Sequence, residues 1–170
     1  GGGQIPDVIS GLQFERLVNA SGPTGGKVLR PSDGKEPKTV VFVACVGSRD
    51  PAHGHSYCSK VCCMYTAKHA LLLKEKLPDA KAYIFYMDIR APGKGCEEFY
   101  DKSLREGIRF VRGRVAEVTD WALAPEEEGK LVIRVEDTLA GFVRRIPVDM
   151  IVLAAGMEPH ADAQEVRRLF

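Results

Sequence analysis

Cysteine is the residue type whose spacing can carry chemistry in this chain. Four cysteines lie between positions 45 and 63 in a C-x12-C-x3-C-C pattern, and two of them are adjacent: Cys45, Cys58, Cys62 and Cys63. The disulfide framework of a small secreted protein spreads its cysteines more evenly along the chain. The clustering therefore predicts a metal, an iron–sulfur cluster or redox thiols in a reducing compartment, and we expect a cytoplasmic location.

The sequence around the cysteines predicts the elements that would hold them. Thr39–Cys45 is a β-branched apolar run, typical of a strand buried on both faces of a parallel sheet. Tyr57–Leu77 predicts a long helix, with Ser56 as its N-cap and Pro78 just beyond its end. The last strand residue and the first helical turns would then face the crevice in which α/β proteins bind their ligands.

The four thiols would converge in that crevice. On the predicted helix, Cys58 and Cys62 are four residues apart and share a face, while Cys63 is rotated from Cys62 by about 100°. Cys45 would approach from the end of the strand. Four thiolates near the positive end of a helix dipole match the usual ligand set of a [4Fe–4S] cluster, although the spacing is not that of a ferredoxin.

Other interpretations of these cysteines remain open. They could be buried small hydrophobes, a dithiol–disulfide redox centre, or a zinc site, although adjacent helical ligands suit tetrahedral zinc poorly. His53 and His55 lie in the intervening turn as further candidate ligands, but loop histidines are more commonly solvated. Three cationic residues near the crevice would either balance the charge of a cluster or lie on the surface: Arg49, Lys60 and Arg90.

Nucleotide binding is weakly supported. A dinucleotide-binding fold places G-x-G-x-x-G after its first strand, so that backbone amides can approach a pyrophosphate. Here that turn contains a single glycine, Gly47, and is about ten residues long before the predicted helix. Asp88 follows the second strand, where a ribose-binding acid would stand. Without the glycines, we expect NADH and NADPH to bind poorly.

The remaining pattern predicts an α/β fold, a Rossmann-like three-layer domain with a mostly parallel sheet and an added β-hairpin. Residues 1–38 would form an N-terminal helix and a Gly/Pro-rich connector, residues 39–159 the Rossmann-like domain, and residues 160–170 a tail. The predicted helices are Ser10–Asn19 and Cys96–Glu106, the latter stopped by Gly107. The further predicted strands are Ala82–Met87, Ile108–Val118, the hairpin Leu131–Glu136 with Phe142–Val148, and Asp149–Ala155.

Composition excludes several classes of function. The chain has 170 residues, a net charge of +1 and 45% hydrophobic residues. It therefore lacks the clustered positive charge that nucleic acid or an anionic membrane would need. Its longest apolar runs are too short to cross a bilayer. The chain begins with three glycines and no methionine, which suggests either residues left by cloning or an internal cut of a longer protein.

Several long motifs resemble one known family. FVACVGSRD, YCSKVCCMYTAKHALLLKE, YIFYMDIRAPGKGCEEFYDKSLREGIRFVRGRVAEV, RVEDTLAG and DMIVLAAGMEP resemble the A subunit of heterodisulfide reductase. They also resemble the A subunit of the quinone-interacting membrane-bound oxidoreductase. The connector SGPTGGKVLRPSDGKEPK is similar as well, so the resemblance extends from about Pro6 to Pro159.

The resemblance implies a piece of a flavin and iron–sulfur oxidoreductase subunit, equivalent to the pyridine-nucleotide domain of a thioredoxin-reductase-like protein. The family's cluster ligands would carry over to the four clustered cysteines, whereas Cys96 would not be a ligand. FAD would bind elsewhere in the parent chain, and the other subunits of the complex would be partners. The alternative is a non-catalytic scaffold or docking domain whose cysteines are empty, zinc-filled or disulfide-forming.

Overall fold

The computed structural model describes residues 5–52 and 54–170, and a five-stranded parallel sheet forms its centre. The strand order is β1-β8-β2-β3-β4, and every neighbouring pair is parallel. A second sheet, antiparallel, has the order β5-β6-β7. The strands are β1 Val8–Ser10, β2 Thr39–Val46, β3 Lys81–Tyr86, β4 Arg109–Arg112, β5 Val115–Thr119, β6 Leu131–Asp137, β7 Phe142–Val148 and β8 Met150–Ala155.

Four α-helices accompany these strands, α1 Gly11–Val18, α2 Cys62–Lys76, α3 Cys96–Arg105 and α4 Ala163–Arg167. Ser10 caps α1, because its hydroxyl accepts from the Gln13 amide while the Gln13 side chain accepts from the Ser10 amide. Among the described residues, no helix is both long and apolar enough to cross a lipid bilayer.

Alternation along β2 divides the core into two layers. Val40 and Phe42 pack on one face of the parallel sheet with Phe14 of α1 and Leu73 of α2. Val41 and Val43 face the opposite side, where they pack with apolar residues of the antiparallel sheet, Ile133, Val135 and Val148. Burial of one such side chain stabilises the fold by about 2 kcal/mol. The predicted three-layer α/β architecture is therefore confirmed.

Two predicted elements differ from the structure, and one strand was not predicted. The strand predicted at Ile108–Val118 is two strands, β4 and β5, which belong to different sheets. The chain crosses between the sheets at Gly113, where a Cβ would lie 1.9 Å from the Glu136 carbonyl oxygen. β1 was not predicted, since three residues are too few to show alternation. The helix predicted to begin at Tyr57 begins at Cys62. The domain boundaries at residues 38 and 159 stay predictions.

Candidate metal centre at the carboxyl edge of the sheet

Cys45 lies in an irregular part of β2. The register between β2 and β8 shifts between Val43 and Val46, and Cys45 has a left-handed backbone with φ of 62°. Such a bulge redirects a side chain at the end of a strand. The thiol is half-buried, and Cys45 stands at the carboxyl edge of the sheet as the sequence predicted.

Cys58 is not on a helix, and this corrects the prediction that it shares a helical face with Cys62. The loop before α2 folds back on the end of β2: the His55 amide donates to Gly47 O at 2.9 Å, and the Arg49 amide donates to Tyr57 O at 3.1 Å. Lys60 then takes a left-handed φ of 60°. These contacts delay the helix, so Ser56 does not act as its N-cap and Cys58 lies in the loop.

Cys62 and Cys63 are the first two residues of α2, and both side chains are buried. Val61 at the N-cap position provides no side-chain hydrogen bond, and the first turn contains no acidic residue. The first amides of a helix lack partners within the helix and carry partial positive charge. The buried thiols therefore stand at a helix terminus whose positive end no side chain neutralises.

The four thiols interact with one another. Burial first, then the neighbouring Cys62 and Cys63, raises the pKa of Cys45 to about 11, and Arg49 opposes this rise. Burial also raises the pKa of Cys63, with further contributions from Cys62 and Cys58. Several thiolates this close together need positive charge beside them. A metal provides that charge and displaces the thiol protons when it binds.

Groups that favour the thiolate form reach three of the four sulfurs. The Lys60 amide donates to the Cys58 sulfur at 3.3 Å, the Arg90 backbone opposes the rise in the pKa of Cys63, and the Arg49 guanidinium opposes the rise in the pKa of Cys45. N–H groups directed at sulfur stabilise the thiolate form and are the usual surroundings of a sulfur-ligated centre. The donor set therefore fits an anionic cluster.

The arrangement fits a single metal ion less well. As placed within residues 5–52 and 54–170, no three His, Cys, Asp or Glu side chains could hold one ion between them. In an iron–sulfur cluster each thiolate binds a different iron, so the ligand sulfurs need not meet around one point. All five cysteines are free thiols.

Of the two histidines considered as candidate ligands, the structure describes His55. His53 lies outside the described residues. His55 stacks on Tyr57 with ring centroids 4.8 Å apart, and its Nε2 lies 2.8 Å from a Glu158 carboxylate oxygen. His55 therefore fastens the loop to the segment after β8.

Asp88 has partners that the sequence did not reveal. Its carboxylate accepts from Arg49 Nη1 at 2.6 Å and from Arg90 Nε at 3.2 Å. Burial alone would raise the pKa of Asp88, but these two arginines hold it below its ordinary value. Asp88, which the sequence offered as a ribose-binding acid, thus forms ion pairs with two arginines beside the cysteine site. Poor binding of NADH and NADPH stays a prediction.

Sequence reasoning also missed the contacts that fasten the cysteine loop. Ser48 and Ser59 hydroxyls lie 3.3 Å apart, and Ser59 accepts from the Met157 amide at 2.8 Å. A Cβ at Gly156 would lie 2.0 Å from the Ser48 hydroxyl oxygen. A glycine directly after β8 is a sequence signal that another group packs closely against the backbone there. The sequence contains no comparable signal for Ser48 and Ser59.

Cys96 is separate from these contacts. It is the first residue of α3, with Gly95 as the N-cap, and it lines an open groove with Met64 and Phe99. The prediction that Cys96 is not a ligand of the centre stays a prediction.

Three-layer packing and a parallel sheet with its polar site at the carboxyl edge define this chain as a Rossmann-like α/β domain. It matches L-lysine 6-monooxygenase from Pseudomonas syringae with a TM-score of 0.55 and 8% identity, over 92% of this chain and 41% of that one. At this identity the likeness concerns the fold alone. No protein-family model matches the chain.

Sequence relatives are more specific. The chain is 50% identical over 99% of its length to an iron-sulfur A subunit of the CoB–CoM heterodisulfide reductase of Methanopyrus kandleri. It is 52% identical, also over 99% of its length, to the A subunit of the H2:CoB-CoM heterodisulfide,ferredoxin reductase of Methanothermobacter marburgensis. It spans 25% of the length of each. The chain is therefore homologous to a segment of heterodisulfide reductase A subunits, and the resemblance of its motifs to that subunit is confirmed.

Proposed function

We propose that this chain is the part of a heterodisulfide reductase A-like subunit that transfers electrons through a [4Fe–4S] cluster bound by Cys45, Cys58, Cys62 and Cys63. The observation that carries the proposal is the gathering of four mutually interacting thiols at an uncapped helix terminus, with groups that favour the thiolate form beside three of them. The name of the Methanopyrus relative, an iron-sulfur subunit, supports it.

Each residue group has a definite part in this proposal. The thiols would bind the irons, the amides of α2 and the three groups that favour the thiolate form would offset the negative charge, and the loop fastened by Ser59 would limit the access of water. When bound, the cluster supplies a site that accepts and releases single electrons. FAD belongs to the remainder of the parent protein.

The partners in the proposal follow from the relatives, which are named as subunits of heterodisulfide reductases. We propose that the chain works beside the other subunits of a heterodisulfide reductase-like complex, or of a quinone-interacting complex as the motifs suggest, in the cytoplasm. Neither nucleic acid nor membrane insertion has a part in it.

Anaerobic reconstitution tests the cluster. With iron and sulfide, we expect about four irons per chain, a broad absorbance band in the visible blue and an EPR signal after reduction. Cys58→Ser and Cys62→Ser should each abolish the loaded state. Cys96→Ser is the matched control, since it removes a thiol from the same domain but from another element, and it should load normally.

Two outcomes would contradict the proposal. Unchanged iron content in the Cys58→Ser variant would remove Cys58 from the site. Stoichiometric zinc in place of iron, measured by elemental analysis after purification without added metal and retained during reconstitution, would favour the scaffold alternative.

A further inference from the structure

Arg49 is held in an unusual backbone position at the cysteine site. Among the described residues, three non-glycine residues have left-handed φ values, and all three belong to this site: Cys45, Arg49 and Lys60. The Arg49 amide donates to Tyr57 O at 3.1 Å, which fixes this conformation. A backbone that L-residues rarely adopt persists only where surrounding contacts hold it, and such positions concentrate at functional sites.

The side chain of Arg49 joins two groups. Its Nη1 donates to Asp88 Oδ1 at 2.6 Å, and its positive charge favours the thiolate of Cys45 against the effect of burial. The Arg49 side chain is 25% exposed, whereas that of Arg90, the second cation on Asp88, is 45% exposed. Arg49 is therefore the more enclosed of the two cations and the one directed at a thiol.

Asp88 connects the same contact to a second cysteine. Its main-chain oxygen accepts from the Cys63 thiol at 3.8 Å, and the backbone of Arg90, two residues later, opposes the rise in the pKa of Cys63. The segment after β3 thus touches Cys63 through its backbone and Cys45 through the Asp88–Arg49 ion pair. The two cysteines that lie on different elements share one set of supporting residues.

We propose that Arg49 is a positioning residue of the cluster, that Asp88 holds its guanidinium against Cys45, and that this pair raises the cluster's reduction potential. The inference rests on the proposed function. Reduction adds negative charge to a cluster, and a fixed cation with an N–H···S hydrogen bond stabilises the reduced form more than the oxidised form. Loss of Arg49 should therefore make the cluster harder to reduce.

Redox titration of the reconstituted chain, followed by absorbance and EPR, tests this inference. Arg49→Gln should load iron and sulfide and show a more negative midpoint potential than the unmodified chain. Arg49→Lys keeps the positive charge but loses the planar guanidinium group. Its midpoint potential should therefore lie between those of the unmodified chain and the Arg49→Gln variant. Lys94→Gln is the matched control: it removes one positive charge from the loop after β3, which also carries Asp88, but its exposed side chain lines the Cys96 groove instead, so its shift should be much smaller.

A double-mutant cycle isolates the part played by Asp88. Asp88→Asn removes a negative charge in either background, but it can release Arg49 only where Arg49 is present. The potential shift caused by Asp88→Asn should therefore differ between the unmodified chain and the Arg49→Gln variant. Equal shifts in both backgrounds would overturn the role of Asp88.

The remaining outcomes are distinct. Equal shifts in Arg49→Gln and Lys94→Gln would show a general charge effect and overturn the positioning role of Arg49. If Arg49→Gln loads no cluster, the Arg49→Lys variant is used for the test instead. A midpoint potential of Arg49→Lys equal to that of the unmodified chain would then overturn the inference. Failure of the unmodified chain to bind a cluster would instead overturn the proposed function.

Discussion

The two edges of the parallel sheet differ in whether the chain supplies partners for their buried polar groups. At the amino edge, Asp149 accepts from the amides of Lys38 and Thr39, each at 2.8 Å, and forms an ion pair with Lys130. Nearby Asp7 accepts from the Ser32 amide at 2.9 Å and from Arg30 Nε at 3.2 Å. Both carboxylates lie where strands begin, and the chain itself supplies all of these partners.

At the carboxyl edge, the buried groups are thiols that repel one another as thiolates. The backbone around them is left-handed at Cys45 and Arg49, and α2 begins without a cap. A left-handed conformation costs a non-glycine residue roughly 1 kcal/mol or more. The amino edge is thus complete within the chain and stabilises the fold, whereas the carboxyl edge departs from local preferences in a way typical of functional sites.

The largest effect that can test this comparison is expected at Asp149. Asp149→Ala leaves the Lys38 and Thr39 amides without their acceptor and removes the partner of Lys130, so the free energy of unfolding should fall by about 3 kcal/mol. Cys58→Ser in the metal-free chain should cost less than about 0.5 kcal/mol, because its thiol is only half-buried. Urea unfolding followed by circular dichroism measures both. Equal losses would break the comparison.

Gly156 tests how closely the carboxyl edge is packed. Its backbone conformation admits alanine, but the added Cβ would lie 2.0 Å from the Ser48 hydroxyl oxygen and 2.7 Å from that of Ser59. Gly156→Ala should lower the free energy of unfolding by about 2 kcal/mol and reduce iron loading, because the cysteine loop must move. Ser48→Ala removes the nearer oxygen and should restore part of the loss. An equal loss with and without the Ser48 hydroxyl would contradict this account.

The same contrast decides how much the sequence could predict. Periodicity and turn residues predicted the helix at Cys96, the hairpin β6–β7 and the buried strand β8, because local preference and tertiary packing agree there. The start of α2 was predicted wrongly, because main-chain contacts from Gly47 to His55 and from Arg49 to Tyr57 override the helical preference of the loop. Nothing in the residue types shows that Arg49 would be left-handed or that Asp88 would bind it.

A pH titration gives a smaller effect with a defined sign. Burial alone would raise the pKa of Asp149, but the hydrogen bonds from Lys130, Thr39 and Lys38 outweigh burial and hold the pKa below its ordinary value. The stability that Asp149 contributes is therefore fully present above the unfolded pKa of about 4 and is lost as pH falls through the lower folded pKa. Unfolding free energies of the unmodified chain should fall faster with acid than those of Asp149→Asn. Parallel curves would show that Lys130 and the amides do not favour the charged form.

The smallest global effect is expected from removing the cluster. The core consists of two apolar layers around β2, built from residues such as Phe42, Val41 and Leu73, and among the described residues neither layer includes a cysteine. A domain of this size buries enough apolar surface to fold without a metal. Far-UV circular dichroism of the chelator-treated protein should therefore match that of the loaded protein.

The local effect of removal should be confined to the carboxyl edge. Hydrogen exchange should quicken in the loop between β2 and α2 and in the first turn of α2, while the amides of β3, β8 and the Val40–Val43 part of β2 stay protected. Exposed thiols in air should also form disulfides, which mass spectrometry would detect. Loss of the whole circular dichroism spectrum together with the metal would show that the cysteines support the fold. The two edges would then share one structural role, and the zinc scaffold would become the better account of the site.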